Sequence, residues 1–447
     1  MATLNSNDDS PSNKKNPDDN QRCKVIVSDP VLPIAPNRRN MKAKLSLALS
    51  SEINKVPKFL PVCLSAVPEG WKNFVIRTIF TILLFFFFGC IVYLGPVALT
   101  VTTLCVQMKC FGEIIKIGND ANHIPKRFWF RTLSWYFYIV FNLIFYGENF
   151  VDYFAVSASG PELLSGFLKY HHFICFILFM IGIVWFVLSL EKKFYLRLFS
   201  MLSLTHFALL IIILQSIFLI QNIFEGMIWF IVPVSIIIIN DICAYLIGFF
   251  LGRTPLIKLS PKKTWEGYIG GSFLTIILSC LISHFLCRYD YFVLPVEFDK
   301  NLGIFSMAHE RSYLFQLNDY VLPGIIGRIM KMLRFNTVIR TYPFVLHSLI
   351  IALFGSIIGP FGGFFASGFK RAFKVKDFGD TIPGHGGIMD RFDCQYLMAT
   401  FIKVYIITFT RTPFPQRLLY QLLKMPREHQ LLIYKILEKS LQNQGHL

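Results

Sequence analysis

The sequence predicts an all-α, polytopic membrane protein, a bundle of about nine transmembrane helices behind a disordered polar N-terminal tail. Three observations predict it. Of 447 residues, 54% are hydrophobic and only 16% charged, where a soluble chain carries roughly 25% charged residues. The charge is clustered, so long apolar stretches alternate with short charged connections. The formal net charge is +17, which points to anionic lipid head groups or anionic substrates before nucleic acid. A single soluble domain and a disordered scaffold are both excluded by this pattern.

The elements follow in order. Residues 1–72 are rich in Asn, Asp, Ser, Pro and Lys without an apolar period, and read as a flexible cytosolic tail. Residues 73–410 form the membrane domain. A span needs about 20 apolar residues, and candidate segments fall at 74–94, 96–112, 131–147, 172–190, 199–220, 227–251, 269–286, 343–366 and 394–410. Gly95 and Pro96 separate the first two, as a tight hairpin or one long broken span. Loop charge gives the orientation. Lys116, Lys126, Arg127, Lys192, Lys193 and Arg197 fall on the tail's side, whereas Asp152 and Glu162 fall opposite. The same parity puts loops 252–268 and 367–393 together on the cytosolic side. Residues 323–340 mix Ile325, Ile326, Ile329 and Met330 with Arg328, Lys331 and Arg334, a spacing that suits an amphipathic helix in the interface or packed on the bundle. Residues 411–447 form an amphipathic tail, helical by period around Leu431–Leu441. The ten cysteines contain no CxxC pair and read as small buried hydrophobes.

Two loops carry the candidate chemistry. The first follows Asn240 and Asp241, which interrupt an apolar helix, and runs through Arg253 to Ser260-Pro261-Lys262-Lys263-Thr264-Trp265-Glu266-Gly267. An ionisable group inside a membrane helix is a functional-site candidate by default. Arg253, Lys262 and Lys263 suit phosphate oxygens, and Ser260 and Thr264 add hydroxyls. Asn240 and Glu266 are supporting candidates. A plain interfacial lysine cluster is the competing reading. The second loop, 367–393, opens with Lys370, Arg371, Lys374 and Lys376, turns through Pro383-Gly384-His385-Gly386-Gly387, and closes on Asp390 and Asp393. Spacing of three puts both carboxylates on one helix face. Such a pair suits Mg²⁺, a hard cation bound through few carboxylates plus phosphate oxygens. Gly386 and Gly387 let backbone approach a polyphosphate, and His385 between glycines suits a phosphate donor or proton carrier. These parts serve phosphoryl or nucleotidyl transfer, which is mostly positioning and charge stabilisation.

The second loop resembles the signature of the phosphatidate cytidylyltransferases, the CDP-diacylglycerol synthases. The matching positions are Ser367, Lys370, Arg371, Lys376, Asp377, His385, Gly386, Gly387, Asp390, Arg391 and Asp393. The block Ser260–Gly267 resembles the family's second shared block. The likeness runs from about residue 70 to the C-terminus and is greatest to the eukaryotic, endoplasmic-reticulum branch. One departure stands out. Bacterial relatives carry acidic residues just before the signature Ser, where this chain reads Gly362-Gly363-Phe364-Phe365-Ala366-Ser367. Metal ligation must then rest on fewer carboxylates, on Asp241 or Asp377, or on substrate oxygens.

The resemblance implies transfer of CMP from CTP to phosphatidate, giving CDP-diacylglycerol and pyrophosphate. It implies Mg²⁺ as cofactor, at Asp390, Asp393 and Asp241. Lys370, Arg371, Lys376, Asp377 and His385 would act beside those carboxylates. CTP, phosphatidate and membrane lipids are the expected partners, with no nucleic acid; a homodimer is compatible with the sequence. The expected location is the endoplasmic reticulum membrane, with the catalytic loops facing the cytosol. The alternatives are a CTP-dependent lipid-alcohol kinase, similar to dolichol kinase, and a lipid transporter without enzymatic activity. The second lacks the internal repeats usual in transporters.

Overall fold

A computed structural model of the chain describes residues 69–122, 128–154, 170–257, 259–299, 304–307, 311–321, 332, 338–382, 386–410, 422 and 425–443. The expected tail lies outside them up to residue 68, as does most of 323–340. The helices are α1 (Glu69–Leu94), α2 (Pro96–Ala121), α3 (Phe128–Phe154), α4 (His171–Leu188), α5 (Tyr195–Phe224), α6 (Ile228–Leu251), α7 (Trp265–Leu286), α8 (Pro343–Ile357), α9 (Gly359–Ala372), α10 (Met389–Tyr405) and α11 (Arg427–Asn443). Three antiparallel two-stranded hairpins interrupt them: β1 (Pro255–Ile257) with β2 (Ser260–Thr264), β3 (Val296–Asp299) with β4 (Ile304–Met307), and β5 (Asn318–Val321) with β6 (Val338–Thr341).

All nine apolar segments fall on helices, so the helical membrane bundle stands. The number of spans is smaller by strict length and composition. Among the described residues, six stretches can cross a membrane: α2, α4, α5, α6, α7 and the α8–α9 pair. The apolar run of α1, Thr78–Leu94, is shorter. Helix α10 has 17 residues and carries Asp390, Arg391, Asp393 and Lys403. The amphipathic helix expected over 323–340 does not extend to its end: Val338–Arg340 lie in β6, where β-branched Val338 and Ile339 favour extended backbone.

Gly95 resolves the junction of the first two segments. Its φ of 97° breaks the chain between α1 and α2, a left-handed geometry that glycine adopts without a Cβ penalty. Tyr291 donates its hydroxyl to the carbonyls of Val92 and Tyr93 at 2.8 and 3.0 Å, serving the exposed end of α1.

Apolar side chains gain little by leaving lipid for one another, so membrane helices associate through close packing and polar links. Both are present. Helices α6 and α7 cross at small residues spaced four apart, Ala244 and Gly248 against Gly267 and Gly271. A Cβ on Gly271 would lie 2.8 Å from the Ala244 backbone. Thr275 donates to Asn240 across the same pair at 3.4 Å. Tyr268 ties α7 to α8 at the Ile357 carbonyl, 2.7 Å away, and Asn222 ties α5 to the Ala399 carbonyl of α10 at 3.1 Å.

Two buried clusters form the interior. One joins α6, α8 and the C-terminal half of α10, around Ile236, Phe344, Ile351 and Met398. The other joins α2, α3 and α5, around Phe111, Phe137, Leu209 and Ile213, and takes in Phe378, Met389 and Tyr396. Helix α10 therefore contributes to both, and its N-terminal turn is placed by packing on two sides. Replacing Gly271 with Leu should overpack the α6–α7 crossing and destabilise the protein by about 1–3 kcal/mol. The expected readout is a lower midpoint of thermal unfolding in detergent, and an unchanged midpoint would contradict so close a crossing.

Candidate active site

The first loop is built from the end of α6. The chain leaves the helix at Gly252, where a Cβ would meet the Gly248 carbonyl at 2.2 Å, and returns through the β1–β2 hairpin. Thr264 caps α7, its side-chain oxygen accepting from the Gly267 N–H at 3.3 Å, which satisfies one of the free donors of a helix start. The Glu266 carboxylate accepts from the Thr254 N–H at 3.2 and 3.3 Å and from its hydroxyl at 2.9 Å. Thr264 and Glu266 thus shape the hairpin. Asn240 is buried and bonded to Thr275. Asp241 and Lys263 pair at 3.7 Å with side chains 58% and 48% exposed, a geometry worth little in stability. Arg253 is exposed and Ser260 half-buried. Lys262 lies in β2, and its side chain is outside the described set.

The second loop begins on α9. Ser367 donates to the Gly363 carbonyl of its own helix at 2.8 Å. Helix α9 stops at Lys374, whose φ of 56° is left-handed. The Val375 N–H then closes on the Lys370 carbonyl at 2.9 Å and the Lys374 N–H on that of Arg371 at 3.1 Å, which serves the last carbonyls of the helix. Arg371, Lys376, Asp377 and Arg391 are exposed. His385 lies outside the described residues.

Asp390 closes the loop. Its Oδ1 accepts from Lys370 Nζ at 2.6 Å, and its Oδ2 accepts the N–H groups of Phe378 and Gly387 at 2.9 and 3.0 Å. The two side chains are 16% and 9% exposed, so this pair, unlike Lys263–Asp241, is held within the protein. Lys370 also lies 5.4 Å from the centre of the Phe378 ring, a favourable position for a cation. Gly386 has φ 84°, and its Cβ position would lie 3.3 Å from Asp390 Oδ2.

A residue the motifs did not indicate completes the loop. Glu113 of α2 is 8% exposed. Its Oε1 accepts the Thr381 hydroxyl at 2.6 Å and the Ile388 N–H at 3.0 Å, and its Oε2 accepts the Met389 N–H at 3.0 Å. Gly379 and Gly387 press against it; a Cβ on Gly387 would lie 2.6 Å from Oε2. The signal available in the sequence was a lone acid just past an apolar segment, a weaker one than Asp241 inside its segment. Helix α2 continues to Ala121, so Glu113 belongs to a helix and not to the following connection.

Asp393 precedes the apolar run 394–410. Its Oδ1 accepts the Cys394 N–H at 2.8 Å. Burial pushes its carboxyl up to about 6, against the opposing pull of that N–H and of Lys370, and the Asp241 charge adds to the rise. Asp241, Lys370 and Asp393 therefore act on one another electrostatically, although they come from α6, α9 and α10. The hairpin joins them on the same side: a Cβ on Gly368 of α9 would have Leu259 as its nearest neighbour, at 3.8 Å. Among the described residues no three His, Cys, Asp or Glu side chains converge on a metal position. The Asp393 and Asp241 carboxylates fit a hard cation. They are oxygen donors, and the like-charge repulsion between Asp393 and Asp241 is what a divalent ion relieves.

Glu113→Gln preserves shape but puts an amide where three donors meet. Hydrogen bonds to a charged group are worth about 1.5–3 kcal/mol each, so residues 378–389 should lose order. The expected result is faster hydrogen exchange at the Phe378, Ile388 and Met389 amides, with the α6–α7 amides unchanged. Equal protection in both proteins would remove Glu113 from this role.

The model of the cytidylyltransferase family matches residues 75–409. Human phosphatidate cytidylyltransferase 2 is 48% identical over 435 residues, covering 94% of this chain and 97% of its own. Human phosphatidate cytidylyltransferase 1 is 52% identical over 394 residues, 88% and 85% of the two chains. The phosphatidate cytidylyltransferase of Caenorhabditis elegans is 45% identical over 412 residues, 92% and 87%. The match takes in every helix from which the clustered Lys370, Asp390, Asp393, Asp241 and Glu113 arise, and the chain belongs to the cytidylyltransferase family.

Proposed function

We infer that the chain is a membrane enzyme that transfers CMP from CTP to phosphatidate, giving CDP-diacylglycerol and pyrophosphate. The observation that carries this reading is the half-buried Lys370–Asp390 pair set beside Asp393 at the end of a membrane helix bundle. A phosphate oxygen of phosphatidate attacks the α-phosphorus of CTP. The bond from that phosphorus to the bridging oxygen breaks, and its electron pair leaves with pyrophosphate. The nucleophile arrives ionised, so the site has no need of a strong base. Its task is to bring two anions together and to stabilise charge on the leaving group.

Lys370 is positioned for that task, held by Asp390 and stacked against Phe378. Arg371, Lys376, Arg253 and Lys263 are exposed around it and reach for triphosphate or lipid head group as mobile cations. Asp393 and Asp241 would hold Mg²⁺, with Asp390 turned mainly to the loop. A divalent ion held there would supply positive charge to offset that of the phosphates.

The phosphatidate head group lies at a membrane surface, and CTP is cytosolic, so both loops face the cytosol in this reading. The basic connections beside α2 and between α4 and α5 support that side, and the resemblance of the signature to the eukaryotic branch implies the endoplasmic reticulum membrane. A homodimer accords with the reading but has no support from the single chain.

The test is purified protein in mixed micelles with CTP labelled at the α-phosphate. Label should enter chloroform-soluble lipid with one pyrophosphate released per turnover. Release of CDP without nucleotide in lipid would instead identify a lipid-alcohol kinase. Lys370→Ala and Asp393→Asn should each lower kcat by about 10²–10³-fold while the protein still elutes as one species. Chelation of divalent cations should abolish activity, and added Mg²⁺ should restore it.

A further inference from the structure

A cavity of about 290 Å³ lies between α2, α5, α9 and α10, close to the lower bound of pockets that hold small ligands, roughly 300–1,000 Å³. Its wall is apolar, including Ile114, Ala208, Ile211 and Leu397. Asp393 also lines it, so the cavity reaches a carboxylate of the candidate site. Its other boundary is Phe207 of α5 with Phe361 and Phe365 of α9, all exposed large apolar side chains. The Phe207 and Phe365 rings meet at 6.4 Å. Both helices belong to stretches able to cross a membrane, so side chains exposed there meet hydrocarbon, not water.

Phe361, Phe365 and Phe369 recur every four residues and make one stripe along α9. The stripe ends beside Lys370. Phe369 stacks on Phe378, whose ring lies under the Lys370 ammonium. An apolar track thus leads from the lipid-facing surface to the charged cluster. Gln215, Asp393 and Tyr396 are the polar side chains on its wall.

We propose that this cavity holds one acyl chain of phosphatidate, entering between α5 and α9, and that its walls set which acyl chains the enzyme accepts. The proposal rests on the phosphatidate reading above and adds the residues that choose among phosphatidates. A pocket of this kind discriminates by methylene count, at about 10–200-fold per well-placed group.

Two measurements test it. Phosphatidate carrying a diazirine at mid-chain, bound to the wild-type protein and irradiated, should label peptides of α5 near Phe207–Ile211 and of α9 near Phe361–Phe369. Label confined to other helices would overturn the proposal whether or not any variant folds. Ala208→Phe fills the cavity and Ile211→Ala enlarges it. The ratio of kcat/KM for dioctanoyl over distearoyl phosphatidate should rise at least about tenfold in the first and fall in the second. An unchanged ratio in active variants would also overturn it. If the wild-type protein incorporated CMP into neither phosphatidate, the phosphatidate reading itself would fail. That outcome is distinct from an active enzyme with an unaltered chain profile.

Discussion

Backbone that leaves a helix near hydrocarbon must find its hydrogen bonds inside the protein, and four N–H groups between Phe378 and Met389 find theirs on two carboxylates. Asp390 takes the N–H groups of Phe378 and Gly387; Glu113 takes those of Ile388 and Met389. Both acids are nearly excluded from solvent, where a charged acceptor binds its donors more strongly than in water. The glycines of the loop follow from this arrangement. Gly379 and Gly387 lie so near Glu113 that no side chain fits, and Gly386 supplies the left-handed turn between. Lys370 then has a fixed partner, and its position is inherited from the loop's fold.

The site consequently has a rigid half and a loose half. Lys370 and Asp390 pair at 2.6 Å, half-buried, whereas Lys263 and Asp241 are largely exposed at 3.7 Å. An exposed lysine retains rotamer freedom and is screened by salt. It can move to an incoming phosphate without first breaking a strong contact. The β1–β2 hairpin carrying Lys263 is nevertheless anchored at its base, because Thr264 and Glu266 bind it to the first turn of α7. Charge that must be placed and charge that must reach are thus supplied by different loops.

Much of this was legible in order along the chain. Nine apolar segments gave nine helical positions, and loop charge placed 252–268 and 367–393 on one side, where the contact of Gly368 with Leu259 also joins them. Asp390 and Asp393 were recognisable as a spaced pair. What each carboxylate does was not. Asp390 is occupied by Lys370 and two backbone donors, and the donors come from a turn whose path no spacing rule gives. Glu113 was missed because its partners lie some 270 residues away, and a single acid near a segment end reads equally well as a surface charge. Asn240, Thr264 and Glu266 are polar groups in a motif, yet their bonds are to a neighbouring helix and a cap. A motif marks that polar residues share a region, and only packing decides which of them face inward to protein.

Packing also sets the electrostatics of Asp393. Helices α9 and α10 approach until a Cβ on Gly362 would lie 2.9 Å from the Asp393 carbonyl, and one on Gly363 3.6 Å from its Oδ2. Water is excluded from that side, and desolvation is the largest cause of the raised carboxyl. A carboxylate short of water, with a second carboxylate acting on it from α6, binds a cation more readily than a hydrated one, because the ion replaces solvation already lost. The run Gly362-Gly363-Phe364-Phe365-Ala366 therefore has a use where bacterial relatives place acids. Its small residues bring α9 against Asp393, and Phe365 lines the apolar cavity. Charge at those positions would have to be buried against α10 or exposed to lipid, and both are unfavourable.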